Sequence, residues 1–239
     1  MRLLRGEGPL IRVGHRGAAA LAPENTLPSF EAALEHGVDA IEFDVLDAGP
    51  GPLVVAHSRE EAGSGQPTLD EALDFLAGRD VGLHVDLKLT TRLAEVVDAL
   101  DRHRVAERSV VSSFHLPSLR AVSARAAHLR IGFTYPEDRY GVSKRRALKP
   151  AVRLGTLALR RVVVARVPAM LARPGAQALM LQHAVVSAAA VARAHAAGAA
   201  VWAWTVDDPV ELARLEAAGV DAVITNDPRV FSGTATLPT

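Results

Sequence analysis

Gly37-Val38-Asp39-Ala40-Ile41-Glu42-Phe43-Asp44-Val45 decides the fold, because it closes a helix, turns the chain and opens a strand in one run. Glycine suits the position just past a helix end, where the backbone turns left-handed. From Ala40 onward the side chains alternate, so Glu42 and Asp44 share one face while Ile41, Phe43 and Val45 share the other. The same junction recurs as Gly219-Val220-Asp221-Ala222 near the far end of the chain. Two such helix-to-strand joints, so far apart, indicate one βα architecture throughout.

Short β-rich runs alternate with longer Ala/Leu-rich helical segments along the whole sequence, the pattern of parallel strands joined by helical crossovers. Candidate strands lie at 11–13, 40–45, 82–87, 110–113, 131–134, 178–181, 201–205 and 222–225, with helices at 27–36, 69–77, 93–104, 116–128, 187–197 and 209–218. Eight strands fit an α/β fold of the TIM (β/α)8 barrel type, one domain over residues 1–239. A hydrophobic content of 49% over 239 residues is enough for one substantial core.

Lys and Arg together number 27, as do Asp and Glu, so the chain lacks the positive field of a general nucleic-acid binder. That balance conceals an asymmetry, since residues 139–206 hold eleven Lys or Arg and no Asp or Glu. Arg146, Lys149, Arg153 and Arg160 fall within about 60° of one another on a helix. They form a basic stripe that is either a solvated face or a peripheral contact with an anionic membrane surface. Pro150, Gly155 and Pro168 argue against one regular helix there. The absence of cysteine removes thiol nucleophiles, thiolate metal sites and disulfides. No run is apolar for the roughly 20 residues a membrane helix requires. A cytoplasmic location is expected.

Barrels of this type carry their chemistry at the C-terminal ends of the strands, where His15, Arg16, Glu42, Asp44, His57, Asp86 and Lys88 all fall. Two carboxylates aimed into one mouth repel unless a cation lies between them. With Asp86 they make a hard, all-oxygen site suited to Mg²⁺ or Ca²⁺, and Zn²⁺ less so. The competing explanation is an ion-paired cluster, with Lys88 and Arg16 as the partners. His15 and His57 have the right proton affinity for a phosphodiester reaction, which needs one transfer to activate the attacking oxygen and one to protonate the leaving alkoxide. Arg16 and Lys88 suit phosphoryl oxygens. His36, His103, His128 and His195 sit on helices and are expected to be structural; His84 points into the barrel, one layer below Asp86; His115 and His183 stay open. In Pro23-Glu24-Asn25-Thr26, Thr26 is a plausible helix N-cap, and Glu24 or Asn25 a further cation or substrate contact.

These residues resemble a known family, the glycerophosphodiester phosphodiesterases, through His15-Arg16-Gly17, Pro23-Glu24-Asn25-Thr26, Ile41-Glu42-Phe43-Asp44-Val45, Val54-Val55-Ala56-His57, Pro67-Thr68-Leu69-Asp70-Glu71-Ala72-Leu73, Asp86-Leu87-Lys88, Ser112-Ser113-Phe114, Trp204-Thr205-Val206 and Ile224-Thr225-Asn226-Asp227-Pro228. The resemblance implies a barrel that hydrolyses glycerophosphodiesters to glycerol 3-phosphate and an alcohol with one divalent cation. By position it makes His15 and His57 the catalytic pair, Glu42, Asp44 and Asp86 the metal ligands, Arg16 and Lys88 the phosphate contacts, and Trp204 a pocket wall. The alternatives are a lipid phosphodiesterase of lysophospholipase D type, taking a lysophospholipid, and a non-catalytic binder of phosphate ligands. The chain departs from the family pattern at Asp86, where glutamate is usual, and at Ser58, where aspartate commonly follows the histidine. It departs again in the shortened loop after His57, only residues 58–66, which predicts a more open pocket.

Overall fold

The computed structural model describes residues 1–63, 65–136 and 149–235. Its strands are β1 (Ile11–Gly14), β2 (Ala40–Leu46), β3 (Val54–Val55), β4 (Gly82–Leu87), β5 (Ser109–Ser113), β6 (Arg130–Tyr135), β7 (Ala178–Gln182), β8 (Ala200–Trp204) and β9 (Ala222–Thr225). The helices between them are α1 (Leu27–Glu35), α2 (Leu69–Ala77), α3 (Leu93–Arg102), α4 (Leu116–Arg125), α5 (Lys149–Ala172), α6 (Ala188–His195) and α7 (Pro209–Ala217). All strands except β3 run parallel, and β1 pairs with both β2 and β9, which closes an eight-stranded (β/α)8 barrel. β3, absent from the strands expected from sequence, pairs antiparallel with the end of β2 and carries the chain to His57.

Alternation along the strands creates two apolar layers. Ile41, Phe43 and Val45 face outward against α1 and α2, where Phe30 lies 5.7 Å from Phe43 between ring centroids. Inside, Val13, Met180, Trp202 and Ile224 fill the barrel, and Met1 and Leu3 pack beneath them. The Trp202 indole nitrogen donates to the Leu3 carbonyl at 3.1 Å, which fixes this floor. Above this floor, Glu42, Asp44 and Asp86 bring carboxylates to the upper layer, the mouth.

Helix ends follow their local sequence. Thr26 caps α1 and Thr68 caps α2, each bonded reciprocally with the residue three positions on. Gly37 and Gly219 take φ of 67° and 86° past α1 and α7, as the repeated junction predicts. The expectation for the segment before β7 needs correction, since α5 continues unbroken through Gly155 and Pro168. Pro168 lies on the exposed side, while Val163, Val167, Met170 and Leu171 bury a stripe against the barrel, and that packing overrides local propensity. Of the basic stripe, Arg146 and the side chains of Lys149 and Arg153 lie outside the described residues. Arg160 is tied down, donating to the Ala184 carbonyl at 2.6 Å. Among the described residues, no helix is long and apolar enough to cross a membrane.

Candidate active site

Strand alternation delivers Glu42 and Asp44 from β2 and Asp86 from β4 to one point, with potential ligand oxygens all within 4.8 Å of one another. All three are buried. The residues expected from sequence line one cavity of about 130 Å³ at the mouth: His15, Arg16, Glu42, Asp44, His57, Asp86, Lys88 and Trp204, joined by Phe114. Lys88 reaches both Asp86 and Asp44, the latter at 3.0 Å. Arg16 contacts Asp44 through Nε at 3.1 Å and Glu24 through Nη1 at 2.8 Å. Three carboxylates thus face two fixed cations, and the imbalance falls on Glu42. Burial and the charges of Asp44 and Asp86 push its carboxyl well above the usual range, against the pull of Arg16 and Lys88. Burial acts the same way on Asp44, but Lys88, the His57 hydrogen bond and Arg16 outweigh it and hold that carboxyl well below normal. An all-oxygen donor set with one surplus negative charge fits a hard divalent cation.

His15 follows β1 at the mouth. Its Nδ1 lies 2.6 Å from Asn226 Oδ1, and Asn226 donates from Nδ2 to Asp207 at 2.7 Å. Because the amide proton of Asn226 goes to Asp207, its oxygen must accept, so His15 carries hydrogen on Nδ1 and leaves Nε2 as a bare lone pair. Burial, then the neighbouring Arg16, pushes His15 down to about 4, which keeps it neutral at physiological pH. His57 is carried by the loop after β3 and is 41% exposed. Its Nδ1 sits 3.2 Å from Asp44 Oδ2 and 2.9 Å from Arg16 Nη2. Arg16 can only donate, so in this geometry Nδ1 accepts from Nη2 and the ring proton lies on Nε2; in the imidazolium form Nδ1–H turns to Asp44 instead, and in both Nε2–H is the transferable proton.

Asn25 has a different part from the cation or substrate contact expected. Its amide nitrogen donates to Asp44 Oδ2 at 3.0 Å and its oxygen accepts the Asp44 backbone N–H at 3.1 Å, a two-point clamp made from a positive φ of 59°. Glu24 binds Arg16. Trp204 donates to the Met180 carbonyl at 2.9 Å and meets Phe114 edge-on, so the two rings form the apolar wall. His84 is buried on the inward face below Asp86, as expected, and burial pushes it to about 4. His103, His128 and His195 pair with Asp70, Asp101 and Asp221, and His36 bonds the Ala32 carbonyl, all away from the cavity. His115 bonds Ser118 and His183 bonds Glu211, and neither lines the cavity. Asn226 and Asp207 escaped recognition as site residues, because their link to His15 spans 211 positions.

A barrel whose mouth gathers two histidines, two cations and three carboxylates defines a class, the phosphoric diester hydrolases. The profile of the glycerophosphoryl diester phosphodiesterase family matches residues 15–74 and 60–230, and the chain belongs to that family. It is 27% identical to a glycerophosphodiester phosphodiesterase of Caldanaerobacter subterraneus, covering 92% of this chain and 95% of that one. A probable glycerophosphodiester phosphodiesterase 2 of Mycobacterium tuberculosis is 26% identical over 92% of this chain and 88% of its own. In fold it is similar to a putative glycerophosphoryl diester phosphodiesterase of Silicibacter pomeroyi, with a TM-score of 0.76, 23% identity, and coverage of 95% and 93%. An Oleispira antarctica phosphodiesterase, in complex with the product sn-glycerol-3-phosphate, superposes with a TM-score of 0.74 at 21% identity, over 95% of this chain and 97% of that one.

Proposed function

We propose that this enzyme hydrolyses glycerophosphodiesters to glycerol 3-phosphate and an alcohol, with His15 as general base, His57 as general acid, and a divalent cation, Mg²⁺ or Ca²⁺, at Glu42, Asp44 and Asp86. The observation that carries this reading is the fixed tautomer of His15, whose bare Nε2 borders the cavity while Asn226 holds the ring. When bound, the cation supplies Lewis-acid polarisation of the phosphoryl group. Arg16 and Lys88 hold phosphoryl oxygens. His15 Nε2 takes the proton of the attacking oxygen as its bond to phosphorus forms. The bond from phosphorus to the alcohol oxygen breaks, and His57 Nε2–H protonates that oxygen, with Asp44 stabilising the imidazolium through Nδ1.

The test is product analysis by phosphorus NMR with glycerophosphocholine and with a lysophosphatidylcholine, each with Mg²⁺, Ca²⁺ or chelator. Glycerol 3-phosphate from glycerophosphocholine, lost with chelator and restored by either ion, is the expected result. Undiminished turnover by protein shown metal-free by elemental analysis sinks the cation assignment. Turnover of the lysophospholipid alone shifts the substrate to a lipid, and phosphate binding without turnover leaves a non-catalytic binder. His15→Ala and His57→Ala should each lower the rate about 10²-fold or more. A leaving group that needs no protonation should rescue only the His57 variant, and rescue of the His15 variant instead reverses the roles.

A second reading concerns the outer face. Arg161, Arg166 and Arg173 are exposed on or just past α5, and Val162 is 43% exposed beside them. This favours weak, salt-sensitive attraction to anionic lipid. Vesicle sedimentation tests it, and equal partitioning to neutral and anionic vesicles removes it.

A further inference from the structure

We propose that His84 and Ser112 form a positioning relay that holds Asp86 in its orientation toward the divalent-cation site, an inference that rests on the cation reading above. Asp86 and Ser112 are register partners across β4 and β5, so the hydroxyl sits beside the carboxylate by strand pairing alone. Ser112 Oγ lies 2.5 Å from Asp86 Oδ1 and 2.8 Å from His84 Nε2. A hydroxyl has one proton. The ionised carboxylate can only accept, so that proton belongs to Asp86, and Ser112 Oγ must in turn accept from His84. Hydrogen bonding therefore fixes His84 as the Nε2–H form. Its Nδ1 is buried with no partner, so a second ring proton would have no acceptor, and the ring is held to the role of donor.

The ring cannot turn away, because it stands edge-on to Trp202 at 5.5 Å and 87°, and Trp202 is pinned to the barrel floor at Leu3. A continuous column thus runs from the floor through Trp202, His84 and Ser112 to the third carboxylate. Asp86 needs this support for two reasons. Its side chain has a single methylene, so its reach leaves little slack. Its other oxygen is claimed by the Lys88 ammonium, which would draw a loosely held carboxylate away from Glu42 and Asp44. Thr134 offers only a long contact to Oδ1, at 3.4 Å. With Oδ1 fixed by Ser112, Asp86 keeps its place in the donor set, and residues that orient a ligand in this way typically change metal affinity 10–100-fold.

Calorimetric titration of Mn²⁺ and of Ca²⁺ into chelator-stripped protein tests the relay. Ser112→Ala and His84→Met remove it, Ser112→Thr and His84→Gln keep its donors, and Asp86→Asn serves as the benchmark. We expect Ser112→Ala and His84→Met to weaken cation binding about tenfold or more, in the direction of Asp86→Asn, with substantial recovery in Ser112→Thr and His84→Gln. Thermal denaturation of each stripped protein confirms folding, and if His84→Met fails to fold, Ser112→Ala carries the test. Wild-type affinity in Ser112→Ala, alongside clear weakening in Asp86→Asn, overturns the relay and leaves the cation reading standing. A stripped wild-type protein that takes up neither ion overturns the cation reading, and the relay with it.

Discussion

His15 owes its chemical state to residues far along the chain. Asp207 accepts from both the backbone and the side chain of Asn226, and this clamp makes the Asn226 oxygen an obligate acceptor for His15. Asn226→Ala should therefore lower kcat about tenfold or more with little change in KM, since the base loses its tautomer and orientation while the phosphate contacts stay. Steady-state kinetics against pH decide it, and an unchanged kcat would show that burial alone sets the ring. At this scale the sequence was legible in chemical type. Paired carboxylates at alternating positions, and histidines following strands, pointed to the cavity that forms. What it did not show was support: Asn25 clamping Asp44, Asn226 holding His15, and Ser112 bonded to Asp86. Those contacts depend on which strands become neighbours, and polar residues in a β-rich run carry no mark of a partner.

Among the elements, the turn from β1 into α1 places Arg16 and is the least tolerant of change. Gly17 adopts φ of 84°, and an added Cβ would come within 2.6 Å of the Ser29 backbone. Ser29 also bonds the Arg16 carbonyl at 2.8 Å, so the helix cannot back away without releasing the site. Gly17→Ala should cost about 2 kcal/mol or more in stability, combining a left-handed penalty with a clash. Chemical denaturation measures it, and a change within about 0.5 kcal/mol would mean that the turn yields. All eight barrel strands could be read from β-rich runs set between helical segments, and the start of α1 from Thr26, while the cap at Thr68 went unread. β3 could not be read, because two residues are too short a run to show a period. α5 was misjudged at Gly155 and Pro168, since the buried stripe that sustains it matters only once the barrel is present.

The whole molecule should respond to acid through two desolvated histidines, His84 buried and His15 largely so. His15 and His84 are pushed from 6.5 to about 4, mainly by burial. Below about 6.5 the unfolded chain takes up these protons, while the folded chain resists until about 4. Each histidine thus lowers stability as pH falls across that window, by about 2 kcal/mol at pH 5. Glu42 acts in the opposite sense, because its raised carboxyl takes a proton in the folded state first. A bound cation would keep Glu42 ionised and remove that offset. Urea denaturation should therefore show stability declining from pH 7 to pH 5, more steeply with saturating divalent cation than with chelator. A flat profile in both conditions would contradict the desolvated, neutral state of the two rings.

The segment that bears His57 is closed at its neck, where Val55 N–H donates to the Pro67 carbonyl at 2.9 Å and Leu69 N–H to the Leu53 carbonyl at 2.8 Å. Past His57, which is anchored to Asp44 and Arg16, residues 58–63 stand outside the barrel strands, and this makes them a natural graft point for altering what the enzyme accepts. Extending a loop carries a cost that grows only logarithmically, about 0.6 kcal/mol per doubling of length. A flexible insert after Ala62 should leave unfolding almost unchanged and alter KM for bulky alcohols before it alters kcat. The fold would then hold two separable parts, a fixed chemical furnace and an interchangeable door. A large loss of stability in such a chimera would show that the short loop is instead part of the frame.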